Sequence, residues 1–212
     1  KFVLSGGALI NYNTFISGEY KVYPSFSASF RPWDSFTIAS SWSKSTRMPT
    51  FTELFYNTET HIANENLLPE KSESTDLTFR YRHSFVEFSA TGFLLWGKNM
   101  IDWVKEDKDS KSMSTNITRV NTQGVESNLK LHLSSILPIL GDNSTLTFGY
   151  MHMWQDYKTN EYISESKNKL NYLRDKFTTQ FNHKVINRLT ANWFFRYQKR
   201  MGKYSKYVDS KN

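Results

Sequence analysis

Apolar and polar residues alternate along this chain with a period of two. Leu189, Ala191, Trp193, Phe195 and Tyr197 fall on one face, and Arg188, Thr190, Asn192, Arg196 and Gln198 on the other. A helix would repeat every 3.6 residues, so the pattern predicts β-strands with one apolar and one polar side. The alternation returns over Val22–Arg31, Phe36–Ser43, Leu77–Arg82, Val86–Trp96, Val125–Ser134, Leu146–Trp154 and Phe177–Lys184. It predicts nine strands, near 1–12, 20–31, 35–46, 72–82, 85–104, 116–134, 144–157, 170–184 and 188–201.

The connections between these strands sort by length. Pro32-Trp33-Asp34, His83-Ser84 and Ile186-Asn187 are minimal turns, and Ser135–Asn143, with Pro138 and Gly141-Asp142-Asn143, is somewhat longer. Long polar segments at about 47–71, 105–115 and 158–169 alternate with them. An outer-membrane barrel has this asymmetry, because its short turns and long loops emerge on opposite sides of the bilayer. Several strands reach or exceed the roughly 9–11 residues of a tilted membrane crossing, against about 5–6 in ordinary globular strands. The predicted class is all-β, an antiparallel up-and-down transmembrane barrel present as a partial barrel of about nine strands. The alternative is a soluble β-sandwich binding module, which would also be aromatic and alternating.

Composition agrees with the barrel without proving it. Mean hydropathy is −0.59, and no apolar run approaches the roughly 18 residues of a membrane helix. Barrel strands turn only every second side chain toward lipid, so a polar average is compatible with them. Twenty-seven Lys and Arg stand against 20 acids, a formal charge of +7. The basic residues are scattered, whereas a nucleic-acid interface would concentrate them, so no nucleic-acid partner is expected. The lysine-rich stretches 167–176 and 199–206 read first as solvated charge; lipopolysaccharide phosphates or an anionic solute are the functional alternative. There is no Cys. With no linker dividing it, the chain reads as one unit over 1–212 that begins mid-protein.

The 25-residue segment Arg47–Lys71, with the residues that flank it, carries the strongest motifs. It reads Ser45-Thr46-Arg47-Met48-Pro49-Thr50-Phe51-Thr52-Glu53-Leu54-Phe55-Tyr56, then Asn64-Glu65-Asn66-Leu67-Leu68-Pro69-Glu70-Lys71-Ser72. The second stretch closely resembles the Asn-Pro-x-Leu-x-Pro-Glu-x-Ser signature of the barrel domain of TonB-dependent outer-membrane receptors, with Glu65 in place of the family's usual Pro. The first resembles the Arg-x-Pro…Glu-Leu-(Tyr/Phe) element that precedes it there. Downstream, Gly92-Phe93 with Asn99-Met100-Ile101-Asp102-Trp103, and Asn121-Thr122-Gln123-Gly124-Val125-Glu126, are similar to that family's rising and returning strands. The general flavour is similar to a cobalamin- and siderophore-receptor-like branch.

The resemblance implies a piece of a closed wall of about 22 strands around a plug, with plug and terminal strands absent. It implies location in the bacterial outer membrane and coupling to the TonB-ExbB-ExbD complex through an N-terminal region. The expected function is uptake of a scarce small-molecule nutrient such as cobalamin or a ferric siderophore. Glycan or peptide capture with a surface lipoprotein is the alternative. Outer-membrane lipid and lipopolysaccharide would surround the wall.

Physical roles follow from residue types. Pro49 and Pro69 cannot donate to a ladder, so they end pairing at the two feet of the loop. Arg47 and Glu70 flank the loop and are placed to pair across its base. Glu53, Asn64, Leu67 and Asn121 complete the motif residues with expected structural roles. Gly124 marks a bulge or a close backbone approach, and Glu126 shares the polar face with Asn128 and Lys130, toward the lumen. Phe51, Phe55, Tyr56 and His61 are the candidate ligand contacts, since exposed rings stack on flat or amphipathic solutes. The competing reading of Phe51, Leu54 and Phe55 is an apolar cluster that holds the loop together.

Catalytic chemistry finds no support. The five His show no helical i, i+4 pair and no Gly-x-Ser-x-Gly elbow or phosphate loop is present, so neither enzyme, metal nor cofactor is expected. His152 has Asp156 four residues away on the same strand face. Glu106 with Asp107, and Glu161 with Glu165, read as solvated loop charge.

Overall fold

The computed structural model describes residues 1–14, 18–105, 109–137, 139, 143–158, 165–166, 172–186 and 188–201. Nine long antiparallel strands form one continuous sheet: β1 (Phe2–Asn13), β2 (Glu19–Trp33), β3 (Phe36–Arg47), β5 (Glu70–His83), β6 (Val86–Lys105), β7 (Ser112–His132), β8 (Thr145–Lys158), β10 (Leu173–Ile186) and β11 (Leu189–Arg200). Each pairs with its sequence neighbour, the up-and-down order of a barrel wall. Two short strands, β4 (His61–Ile62) and β9 (Glu165–Ser166), add to β7 and β6. The sandwich alternative fails here, because a sandwich needs two facing sheets around a dry core. Besides Pro69, only six apolar side chains are buried among the described residues.

The register shows how alternation becomes two faces. One line of partners runs Phe2, Phe30, Ile38, Phe79, Ala90, Ser127, Tyr150, Phe177 and Tyr197, across all nine strands. A neighbouring line on the opposite face runs Thr37, Arg80, Ser89, Asn128, Gly149, Thr178 and Arg196. Rings and aliphatics crowd the first face, while hydroxyls, amides and charges fill the second. Near its turn end the polar face carries Glu87 bonded to His132 at 2.9 Å, with Arg82 and Lys130 within 3.9 Å.

The apolar band runs obliquely to these lines. On β1 the Phe2 line is followed on the same face by Leu4, Ala8, Ile10 and Tyr12, whereas on β11 the same line closes the band at Tyr197, after which Lys199 follows. That is a drift of roughly one residue per strand, the stagger that tilted barrel strands carry. A flat lipid slab crossing tilted strands requires this offset, and a sheet packed squarely on a core does not.

Several boundaries differ from the sequence reading. β5 starts at Glu70 and β7 at Ser112, so the long strands β6 and β7 reach 20 and 21 residues and shorten the connection expected at 105–115. The segment after Arg47, read from sequence as a long polar loop, folds into a helix α1 (Phe51–Phe55) and the short β4. The connection after β7 begins with a 3₁₀ turn over Leu133–Ser135. Pro138, Gly141, Asp142, Glu106, Asp107 and Glu161, and the lysines of 167–171 and 202–206, lie outside the described residues.

Candidate functional site

The segment between β3 and β5 is organised around one guanidinium. Arg47, the last residue of β3, donates through Nε and Nη2 to Glu70 at 2.9 and 2.8 Å. The same side chain donates through Nη1 and Nη2 to Glu53 of α1 at 3.0 and 3.1 Å. The pairing of Arg47 with Glu70 across the loop base is therefore as the sequence suggested, with Glu53 as a further partner. Glu70 is buried, and its Oε1 also accepts the Ile101 amide at 2.8 Å, tying the loop foot to β6. The two-sided fork of arginine suits this geometry, since it meets two carboxylates in plane.

Helix α1 is short, and its ends are fixed by local chemistry. Thr50 caps it: Glu53 N donates to the Thr50 hydroxyl at 3.3 Å and Thr50 N donates to Glu53 Oε2 at 2.7 Å, a reciprocal capping box. Burial opposes ionisation of Glu53, but the Arg47 guanidinium and the Thr50 amide outweigh it and hold the carboxyl below its ordinary pKa. The hydrogen bonds that Arg47 donates to Glu70 and then to Glu53 push its pKa up, against the cost of burial. The Glu53 carbonyl accepts from Ser114 Oγ at 2.7 Å and from Asn64 N at 3.1 Å. Helix, loop return and β7 thus meet at one residue.

Packing completes the attachment. Leu54, Leu67 and Ile101 form a small buried cluster. This corrects the expectation that Phe51, Leu54 and Phe55 cluster: Leu54 alone turns inward, while Phe51 is 79% exposed and meets the Phe55 ring at a tilt, with centroids 5.0 Å apart. Pro49 follows the end of β3, and buried Pro69 precedes the start of β5, where each ends a ladder. Asn116 of β7 spans the return limb: its Oδ1 accepts Leu68 N at 2.8 Å, and its Nδ2 donates to the carbonyls of Leu68 and Asn99 at 2.9 and 2.8 Å. The left-handed backbone of Asn99 accompanies a break in the β6–β7 ladder, which skips from Lys98–Arg119 to Met100–Ile117.

On this support sit the rings of the loop. Tyr56 lies 6.4 Å from His61, and His61 meets the edge of Trp103 at 5.1 Å. His61 is held from below, with its amide donating to Thr58 Oγ1 at 3.1 Å and its Nδ1 2.8 Å from Thr60 Oγ1. Phe51, Phe55, Tyr56 and His61, picked out from sequence, therefore share one loop, and Trp103 joins them from β6. Trp103 and the bracing role of Asn116 escaped the sequence reading, because their partners are about 40 to 50 residues away along the chain. The arrangement offers stacking surface with a few polar groups, and no cluster for a metal ion occurs among the described residues.

The other motif residues lie in the wall. Gly124 sits in an unbroken register, so the bulge is absent and the close approach is present. A Cβ there would fall 2.6 Å from the Phe93 ring and 2.7 Å from the His152 carbonyl. Glu126 is exposed on the polar face, on the register line of Thr91 and Thr78. Asn121, opposite Trp96 and Asp156, lies near the loop end of the apolar face. His152 bonds across strands to Asp175 at 2.5 Å, not along its strand to Asp156.

Known proteins share this architecture. The family model described as TonB dependent receptor-like, beta-barrel, matches residues 3–212. No curated protein sequence matches the chain. Among solved structures, the siderophore receptor PirA from Pseudomonas aeruginosa superposes with a TM-score of 0.70 at 17% identity, over 93% of this chain and 34% of that one. The FrpB iron transporter from Neisseria meningitidis gives 0.65 at 13% identity, over 93% and 30%. The copper transporter OprC gives 0.62 at 16%, over 84% and 26%. The chain thus spans about a third or less of these relatives' length, and their names are those of receptors and transporters, not enzymes. The family model covers nearly the whole sequence and the strand order is that of a barrel wall, so the chain belongs to the TonB-dependent receptor β-barrel family of the bacterial outer membrane.

Proposed function

We propose that the chain is part of the barrel of a receptor that takes up an iron chelate, and that the 51–61 loop contributes to capture at the outer face. In this reading residues 1–212 are wall, the plug belongs to the same polypeptide, and TonB-ExbB-ExbD supplies the energy. The observation that carries it is the set of rings, exposed Phe51, Phe55 and Tyr56 beside half-buried His61, on a loop locked to the sheet by Arg47. Preorganised aromatic surface binds flat solutes without a further ordering cost. Relatives named as siderophore receptors and an iron transporter favour ferric chelates over cobalamin. Lipid and lipopolysaccharide surround the wall, and Glu126 faces the plug.

The test is titration of the intact receptor with ferric siderophores and cobalamins, followed by Trp fluorescence. A ferric siderophore should saturate, and Phe51→Ala with Tyr56→Ala should weaken it about tenfold, the scale of one or two lost ring contacts. Saturation by cobalamin alone would replace the substrate class. Unchanged affinity in the double variant would remove the loop from the site. Capture only in the presence of a surface lipoprotein would favour glycan or peptide uptake instead.

A further inference from the structure

The connection between β7 and β8 differs in chemistry from the other short turns. Trp33-Asp34, His83-Ser84 and Asn187-Arg188 each carry a charged or polar group, whereas no residue from Leu133 to Gly141 is charged and five of those nine are Leu or Ile. Its described side chains are uncovered: Ile136 and Leu137 are 50% exposed and Ile139 92%. An exposed apolar run of this kind marks a contact surface.

Where the run sits follows from the height of the wall. Lys98 and Arg119, paired on β6 and β7, end the apolar face toward the loops, and Val86, Leu131 and Leu146 form its last line toward the turns. From Arg119 to Leu131 β7 advances about 40 Å, at about 3.3 Å per residue. Tilted by about 45°, that is a height of about 28 Å, against an apolar band about 25 Å tall in outer-membrane barrels. The lower membrane boundary therefore falls near Leu131, and the uncharged run starts just beyond it at Leu133. Its backbone suits a dry setting. Leu133 N donates to the Ser144 carbonyl at 2.8 Å, and Ile136 N and Leu137 N both donate to the Leu133 carbonyl, at 3.0 and 2.7 Å. An amide without a partner would oppose entry into lipid, and these three have partners.

We propose that Ile136, Leu137 and Ile139 insert into the inner leaflet, as an interfacial anchor that fixes the depth of the wall at β7 and β8. The inference rests on the short turns facing the periplasm. Three aliphatic side chains offer roughly a few hundred Å², whereas a stable protein interface buries at least about 1,200 Å². A second copy or a periplasmic protein is therefore the poorer occupant. Continuity with the line of Val86, Leu131 and Leu146 selects phospholipid, since the turn extends a surface that lipid already covers.

The test uses the intact receptor in vesicles of phosphatidylethanolamine and phosphatidylglycerol, with a nitroxide attached through Ile139→Cys. Ser84→Cys, in the neighbouring turn beyond the same Val86–Leu131 line, is the control. This chain has no Cys of its own, and the unaltered receptor treated with the label sets the background. Power saturation compares collisions of the nitroxide with oxygen, which concentrates in lipid, and with a water-soluble nickel chelate. The oxygen-to-nickel ratio should be at least about threefold higher at position 139 than at 84, as for a side chain that enters the acyl boundary. Ile136→Asp with Leu137→Asp should bring the ratio at 139 down to that at 84. Equal ratios at the two positions overturn the proposal, as does an unchanged ratio in the double-Asp variant. A nitroxide at 139 shielded from both reagents also overturns it, in favour of a protein cover. If the double-Asp barrel does not assemble, the comparison of 139 with 84 decides. Ferric siderophore binding by the labelled receptor is read separately, so loss of the anchor with binding intact leaves the receptor reading standing.

Discussion

The loop between β3 and β5 and the hairpin of β10 and β11 owe their order to different things. The loop would be the more mobile by length alone, yet it is tied by four bonds from one arginine, a capping box, an asparagine brace and the buried cluster of Leu54, Leu67 and Ile101. The hairpin has a near-continuous ladder, but β11 is exposed along almost its entire length. Its Trp193 side chain makes one hydrogen bond, 3.2 Å from Nε1 to His183, and otherwise faces outward. A ladder satisfies the backbone, whereas side-chain order needs something to pack against, and for the wall that is lipid. The loop brings its own packing and the hairpin borrows it.

Breaking the loop at its centre should have the largest effect. Arg47→Ala strands the buried Glu70 carboxylate, and removing one partner of a buried pair costs roughly 3–5 kcal/mol. Arg47 is 39% exposed, so about 2–4 kcal/mol of local stability is expected. Limited proteolysis of the intact receptor should then cut within 48–69 while the barrel still migrates as folded. Survival of an uncut loop would show that packing alone holds it.

Leu54→Ala comes next, at about 2–3 kcal/mol from lost burial and the cavity left behind, read as faster hydrogen exchange in α1 and β4. The β10–β11 hairpin should exchange as before.

A milder change comes from acid. The depressed Glu53 pKa means that its contribution is present above the unfolded carboxylate value of about 4.3 and lost as pH falls below it through the folded value. Fluorescence of Trp103, which touches the loop through His61, should therefore be flat from neutral pH to about 5 and change below about 4. A transition centred above about pH 5 would remove Glu53 from the loop's response to acid.

The smallest effect belongs to the hairpin. Trp193→Phe removes one exposed hydrogen bond and keeps the ring, so barrel stability should move by less than about 0.5 kcal/mol. A large loss would mean that β11 is held by side-chain packing after all.

Period-two alternation on Leu189–Tyr197 and its counterparts was enough to determine strands with two unlike faces, because side-chain direction in a strand depends only on residue parity. Motif residues around Arg47 and Glu70 likewise announced a structured loop foot. Tertiary structure alone decided that Leu54 turns inward and Phe51 outward, that His152 chooses Asp175 over Asp156, and that Gly124 accommodates the Phe93 ring without a bulge. It also brought Lys71, Lys98, Arg119 and Lys158, far apart in sequence, onto one line. Parity is a local property of the backbone, but which residues stand opposite each other depends on strand register, and register is settled by the whole sheet at once.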